Sequence, residues 1–381
     1  MAGMESVLES AVIWVDQDTA LAETLQTLRR VKQIAVDTES NSLYAYQEQV
    51  CLIQISANGE DFVLDGLADM DLPALDAIFA DESIEKIFHA AEYDILCMKR
   101  DFGYTFRNLF DTMQAARILG LSKLGLSNLL EELFGVDQGK SFQKANWGKR
   151  PLSEEMLHYA RMDTHFLMPL RDYLYGKLVE KNLLDLAHED FERLCHTEPN
   201  HKEPLCYSQV SGYQHLDPQQ LGVLEALCQF RDRLARKFNR PLFKVIGNSA
   251  LLAVAQTCPR NLDELKSIKE ISPKLVERYA EGLLETVVEG LKAPPILLKP
   301  HKRPSSSYLN RLDTLKEWRK QAGLKMGVQS DIILPRDILE NIVGAKPSNS
   351  EELKSLMAEI PWRYEHFGAD ILEVIQRENS K

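Results

Sequence analysis

Two carboxylates set two residues apart close a short apolar run, Val36-Asp37-Thr38-Glu39. On an extended strand, side chains at i and i+2 share a face. Asp37 and Glu39 would therefore project together from one edge of a sheet. Like charges this close repel unless a cation lies between them. Hard divalent cations with oxygen ligands meet that need, and Mg²⁺ takes few protein carboxylates while leaving positions for a phosphate. A third acid, Asp94, follows the apolar run that ends at His89, in Phe88-His89-Ala90-Ala91-Glu92-Tyr93-Asp94. A fourth, Asp163, stands four residues after Tyr159 in a helical stretch, one turn along the same helix face. Taken singly, each has a plainer role available: an exposed turn after a strand, a packing tyrosine, a surface acid.

The elements that must carry these residues follow from the hydrophobic pattern. Short apolar and β-branched runs at Gln33 to Val36, Val50 to Ser56 and Phe62 to Leu64, with the turn Asn58-Gly59 between the last two, predict antiparallel strands. A helix from Leu72 to Ala80, a strand from Lys86 to His89, a helix at Ile95 to Arg100 and a strand at Phe106 to Phe110 follow, and the chain is mostly helical from Leu126. An antiparallel start that gives way to strand–helix alternation predicts a mixed sheet flanked by helices. From about Asp217 the chain is all-helical and duplicated at an offset of 88 residues. Pro259 matches Pro347, Asn261 matches Asn349, and Glu264-Leu265-Lys266-Ser267 matches Glu352-Leu353-Lys354-Ser355. The same offset pairs Arg231 with Arg319, Leu251 with Leu339, Pro273 with Pro361 and Leu284-Glu285 with Leu372-Glu373. A Pro- and Ser-rich linker, Ala293 to Ser307, separates the copies, and a looser one, Glu198 to Ser211, precedes them.

The 381 residues suffice for two or three domains, and 44% hydrophobic with 27% charged residues is a globular composition, far from disorder or collagen. Six scattered cysteines without a C-x-x-C pattern predict reduced thiols. Met1 to Ser10 lacks the basic-then-apolar pattern of a secretory leader, and no apolar run nears the ~20 residues of a membrane helix. A soluble cytoplasmic protein is the expectation. Gly135 to Ser141 falls one residue short of a phosphate-binding loop and follows a helix rather than a strand. Cys195, His196, His201 and Cys206 fit no common zinc spacing.

In this order, and within one mixed α/β region, Asp-x-Glu, the aromatic-Asp pair and Tyr-x₃-Asp resemble the DEDD exonuclease superfamily in its tyrosine-bearing branch. The segments His89 to Asp94, Phe110-Asp111-Thr112 and Arg150-Pro151-Leu152 resemble ribonuclease D, and the C-terminal duplication resembles two HRDC domains, with Trp318-Arg319 and Pro347…Glu352-Leu353 typical of that module. The resemblance implies an α/β ribonuclease-H-like mixed-sheet exonuclease domain at 1–208, followed by two all-α HRDC helical domains at 212–292 and 304–381. It implies removal of nucleotides from RNA 3′ ends, with tRNA precursors carrying 3′ extensions as substrates, 5′-mononucleotides as products and no obligate protein partner. Asp37, Glu39, Asp94 and Asp163 would hold two divalent ions, Mg²⁺ or Mn²⁺, and Tyr159 would orient the attacking water. The alternatives are a DNA exonuclease of the same superfamily and a non-catalytic nucleic-acid-binding scaffold.

Further residues have two readings each. Asp111 caps the helix that follows it or stands behind the metal acids. His89 is a buried supporting imidazole or a contact to the terminal nucleotide. Lys140 to Arg150 is basic with Phe142 and Trp147 interleaved, so Trp147 either stacks on a base or anchors a loop, and Arg150 is the candidate phosphate partner. The net charge of −12 argues against a protein coated in positive charge, but it is unevenly spread. From Lys292 to Lys325 nine Lys/Arg face two acids, net +7, which leaves −19 elsewhere. Lys302, Arg303, Arg311, Arg319 and Lys320 in this stretch are expected to meet RNA phosphates.

Overall fold

A computed structural model of the chain describes residues 12–137, 139, 141–199, 206–298 and 303–379. Among these residues six strands make one mixed sheet: β1 (Ile13–Val15), β2 (Gln33–Ser40), β3 (Val50–Ala57), β4 (Glu60–Asp65), β5 (Glu85–Phe88) and β6 (Leu109–Asp111). Their order is β1-β4-β3-β2-β5-β6. The pairs β2/β3 and β3/β4 are antiparallel, and β2/β5, β5/β6 and β1/β4 are parallel. The antiparallel start and the mixed sheet are those the sequence predicts. β1 is an addition, because three residues are too few to display a period.

Register divides the sheet chemically. Asp37 lies opposite Gln54, Glu39 opposite Leu52, Ser56 opposite Asp61, and Leu52 opposite Asp65. With a side-chain period of two, Asp37, Glu39, Gln54, Ser56, Asp61 and Asp65 share one face. The other face carries Val36, Ile53, Ile55, Phe62 and Leu64, all within the main apolar core. A one-residue slip would exchange the two sets, so core burial itself enforces the register.

Among the described residues eight helices accompany the sheet: α1 (Asp18–Leu28), α2 (Asp76–Phe79), α3 (Glu92–Phe102), α4 (Thr112–Ile118), α5 (Leu126–Phe134), α6 (Glu154–His165), α7 (Leu167–Glu180) and α8 (Leu184–Cys195). The expected helix from Leu72 to Ala80 is a 3₁₀ turn, Leu72–Leu75, running into α2. Helix α3 has acids in its first turn, Lys99 and Arg100 in its last, and Gly103 at φ 74° as the left-handed stop, an arrangement favoured by the helix dipole. Asp94 thereby sits at the start of α3. Ser153 caps α6, accepting from the Met156 amide at 3.3 Å, and α6 packs across β2, β3 and β4.

Packing divides the chain into two compact units, one of Met1–Ser40, Val50–Pro199 and Arg303–Lys381, the other of Asn41–Gln49 and Asn200–Lys302. This grouping cuts across the sequence repeat. The second unit holds α9 (Pro218–Phe238), α10 (Leu242–Val245), α11 (Asn248–Thr257), α12 (Leu262–Ser267) and α13 (Pro273–Lys292). Asp217 and Gln220 form a capping box that starts α9. Tyr46 donates to Asp232 at 2.6 Å, which ties residues 41–49 into this unit. The second helical copy, in the first unit, comprises α14 (Ser306–Met326), α15 (Ser330–Ile333), α16 (Arg336–Ala345), α17 (Ser350–Leu356) and α18 (Pro361–Asn379).

The two copies use their matched residues alike. Arg231 donates to the Ile246 carbonyl and Arg319 to the Leu334 carbonyl, acceptors that are themselves 88 residues apart. Asn261 and Asn349 each cap a helix by accepting from the amide three residues on, of Glu264 and Glu352.

Within the first unit α18 is held to α8 by a buried ionic cluster. Arg363 is 0% exposed and donates to Glu189 at 2.8 Å, to Asp190 at 2.9 Å and to the Ile332 carbonyl at 2.8 Å. Glu189 also accepts the Trp362 amide at the start of α18. Removing one partner of a buried ion pair costs about 3–5 kcal/mol. Arg363→Met should therefore lower the urea midpoint of the full chain by a corresponding amount. A midpoint equal to the parent's would mean the cluster holds nothing.

Candidate active site

The strand β2, the first turn of α3 and the helix α6 bring Asp37, Glu39, Asp94, Tyr159 and Asp163 together. Burial, and the charges of Asp94, Asp163 and Glu39, push the Asp37 carboxyl well above its usual range. Burial together with Asp163 and Asp94 raises Glu39 to about 9. Asp94 is raised to about 7, chiefly by burial, against the hydrogen bond it accepts from the Thr38 hydroxyl. Burial and the carboxylates of Asp163, Glu39 and Asp37 push the Tyr159 phenol far up, against a bond with Gln143, so Tyr159 stays a protonated donor.

Asp37, Tyr159 and Asp163 line a cleft of about 360 Å³ with His89, Gln143 and the start of α5, Gly125 to Asn128. A larger groove of about 1020 Å³ runs between α8 and the start of α18. Its lining includes Asp185, Glu189, Glu192, Glu359 and Glu365, a poor setting for a polyanion, so size is no guide to the site here.

An all-oxygen set of mutually repelling carboxylates, Asp94 buried and Asp37, Glu39 and Asp163 half-buried, fits hard divalent cations. The Gln54 amide, in register with Asp37, is buried without a hydrogen-bond partner among the described residues. Also among the described residues, no three carboxylate, imidazole or thiol groups already stand gathered at ligating distance.

His89 lines the cleft. Its Nδ1 lies 2.9 Å from the Thr112 hydroxyl, and burial, opposed by a bond to the Leu124 backbone, lowers it to about 4, so it is neutral near pH 7. Asp111 is an N-cap. It accepts the amides of Met113 and Gln114 in α4 and those of Ala90 and Ala91, and so fixes the turn that leads into α3.

Several expected RNA contacts are used internally instead. Trp147 is 1% exposed, with its ring 6.1 Å from that of Tyr159, which leaves it no face for a base. Arg150 has five N–H donors and makes five bonds: two to Asp65 and one each to the carbonyls of Cys51, Trp147 and Lys149. None remains for a phosphate. Arg311 is 3% exposed and bonds Ser307 and the Val343 carbonyl, and half-buried Arg319 is engaged by the Leu334 carbonyl. Arg303 and Lys320 are exposed. Lys302, like Lys140, lies outside the described residues. Gln143 and the start of α5 are cleft groups that no sequence motif marks.

Residues 12–179 match the family model described as 3′-5′ exonuclease, and residues 220–287 and 309–375 match the HRDC domain. The chain is 33% identical over 302 residues to the exosome complex exonuclease RRP6 of Saccharomyces cerevisiae, covering 74% of this chain and 41% of the relative. It is 34% identical over 295 residues to Protein RRP6-like 2 of Arabidopsis thaliana, covering 73% and 34%. It thus spans less than half the length of these curated relatives. Among solved structures, the catalytic core of RRP6 from Trypanosoma brucei superposes with TM-score 0.63 at 30% identity, covering 74% of this chain and 80% of that one. Escherichia coli RNase D superposes with TM-score 0.70 at 24% identity over 96% and 99%, a likeness of fold. Among the described residues no helix is long and apolar enough to cross a membrane.

The raised carboxyls have a thermodynamic consequence. Folded Asp94 releases its proton near 7 and an ordinary carboxyl near 3.8. Between those values the native state holds the extra proton, so this contribution to stability falls as pH rises through the window. With a chelator present, the parent's melting temperature should fall relative to that of Asp94→Asn between about pH 4 and pH 7. Parallel pH dependences would mean that Asp94 is not in this environment.

Proposed function

Because the chain belongs to the DEDD 3′-5′ exonuclease family and carries HRDC domains, we propose that it shortens RNA from the 3′ end by hydrolysis, releasing 5′-mononucleotides. The observation that carries this reading is the mutual approach of four carboxylates and a protonated tyrosine, of which Asp37, Asp163 and Tyr159 line one cleft. In it, residues 1–208 act as the exonuclease domain and 212–292 and 304–381 as HRDC domains. The substrates are tRNA precursors and other small structured RNAs with free 3′ tails, handled in the cytoplasm without an obligate protein partner.

Asp37, Glu39, Asp94 and Asp163 would together hold two cations, Mg²⁺ or Mn²⁺. When bound, such ions polarise the phosphoryl oxygen, acidify the attacking water and stabilise the leaving oxygen. Tyr159 donates a hydrogen bond that orients the water. It does not deprotonate it, because its own proton is held too tightly. Neutral His89 leaves the terminal phosphate without a competing cation and braces the wall beside it. Exposed Arg303 in the linker and exposed Lys316 and Lys320 on the second helical copy are left to meet the phosphates of the RNA body.

Incubation with 3′-extended tRNA and with matched DNA, resolved at single-nucleotide steps, tests the reaction. Asp37→Asn should abolish trimming while folding and RNA binding persist; trimming at the parent rate would refute the site. Tyr159→Phe should slow hydrolysis with metal affinity retained, and loss of metal affinity instead would make the tyrosine structural. Lys316→Glu with Lys320→Glu should weaken RNA binding and reduce its salt slope by about one unit for each phosphate no longer neutralised. An unchanged slope would return those lysines to the solvent.

A further inference from the structure

Helix α6 carries a second set of bonds on the side turned away from the cleft. Asp61 on β4 is 2% exposed. Its Oδ2 accepts from Arg161 Nε at 2.5 Å and lies 2.8 Å from His165 Nδ1. Its Oδ1 accepts the Ser56 hydroxyl at 2.6 Å. Because Ser56 gives its proton to Asp61, the 2.7 Å contact between Ser56 and Thr164 has Thr164 as donor. Burial raises Asp61, but the bonds from His165, Ser56 and Arg161 outweigh it and hold the carboxyl below its usual range. It is a charged, constant acceptor.

Helical geometry relates this cluster to the site. At about 3.6 residues per turn, Arg161 and His165 share one flank of α6, and a two-residue offset, roughly 200°, puts Tyr159 and Asp163 on the opposite flank. The strand order β4-β3-β2 supplies a partner for each. Asp61 on β4 meets the first flank, Ser56 on β3 lies beneath Thr164, and Asp37 on β2 faces the second. Apolar contact alone resists separation of a helix from a sheet but not its roll. Two side chains one turn apart, both bonded to a single oxygen, fix roll and translation together.

We propose that Asp61 is a positioning residue: it sets the roll of α6 over the sheet and so the placement of Tyr159 and Asp163 against Asp37 and Glu39. The proposal rests on the exonuclease reading for the reaction it tunes, and on the bonds between α6 and the sheet for the rest.

The test is Asp61→Asn in the full chain, which keeps volume but removes the charge. Three measurements accompany a melting curve: Mn²⁺ binding by electron paramagnetic resonance, the dissociation constant for 3′-tailed RNA in chelator, and the single-turnover trimming rate. Misplacement of reacting groups by about 1 Å can cost about 100-fold, so the rate should fall by roughly 10- to 100-fold. Mn²⁺ should bind several-fold more weakly while RNA affinity is kept. A folded variant with the parent's rate and Mn²⁺ affinity overturns the proposal. Should Asp61→Asn not fold, His165→Phe removes one of the two bonds from α6 to Asp61 and leaves the Arg161 bond in place. It should lose rate in the same direction, by less and with RNA affinity kept, and a parent-like rate there overturns the proposal equally. If the parent itself trims no RNA, the exonuclease reading fails, and the Mn²⁺ measurement still decides the role of Asp61.

Discussion

The repulsion among Asp37, Glu39, Asp94 and Asp163 is the constraint on which the rest of this structure turns. Four carboxylates in solution would keep their distance. Here the chain forces them within reach of one another and draws them partly out of water, so that three of the four hold their protons far more tightly than free acids do. The opposing stability comes from elsewhere. The apolar face of the same strands, with Val36, Ile53 and Ile55 fully buried, fixes the register that places Asp37 and Glu39 on the other side. The unfavourable site and the favourable core are two faces of one sheet.

Polar groups outside the cleft serve that arrangement through backbone and carbonyl contacts. Asp111 gathers four amides and fixes the turn from which Asp94 rises. Arg150 closes its guanidinium on Asp65 and three carbonyls, beside a buried Trp147 that packs against Tyr159. These residues look like ligand contacts in a linear sequence because Arg and Trp are the residue types nucleic-acid sites favour. A guanidinium with every donor satisfied has nothing to offer a phosphate, whatever its position along the chain.

The helical copies make the same distinction. Arg231 and Arg319 recur because each must satisfy a carbonyl where one helix meets the next, and Asn261 and Asn349 recur because each caps a helix. The positive charge of the stretch from Lys292 to Lys325 therefore divides into internal staples, Arg311 and Arg319, and cations that reach solvent, such as Arg303 and Lys320. The net charge of −12 averages one basic stretch, net +7 from Lys292 to Lys325, with −19 over the rest of the chain.

The sequence by itself determined what depends on local spacing. The i, i+2 pair Asp37 and Glu39, the i, i+4 pair Tyr159 and Asp163, the antiparallel start of the sheet and the duplication at 88 residues were all legible, because a strand's period of two and a helix's 3.6 translate spacing directly into a shared face. What only the tertiary structure decided is which polar groups are spent inside. Burial of Trp147, saturation of Arg150 and the meeting of Asp61 with Arg161 and His165, 100 and 104 residues away, depend on contacts between distant segments. Sequence shows which groups can bond; only the packed chain shows which already have.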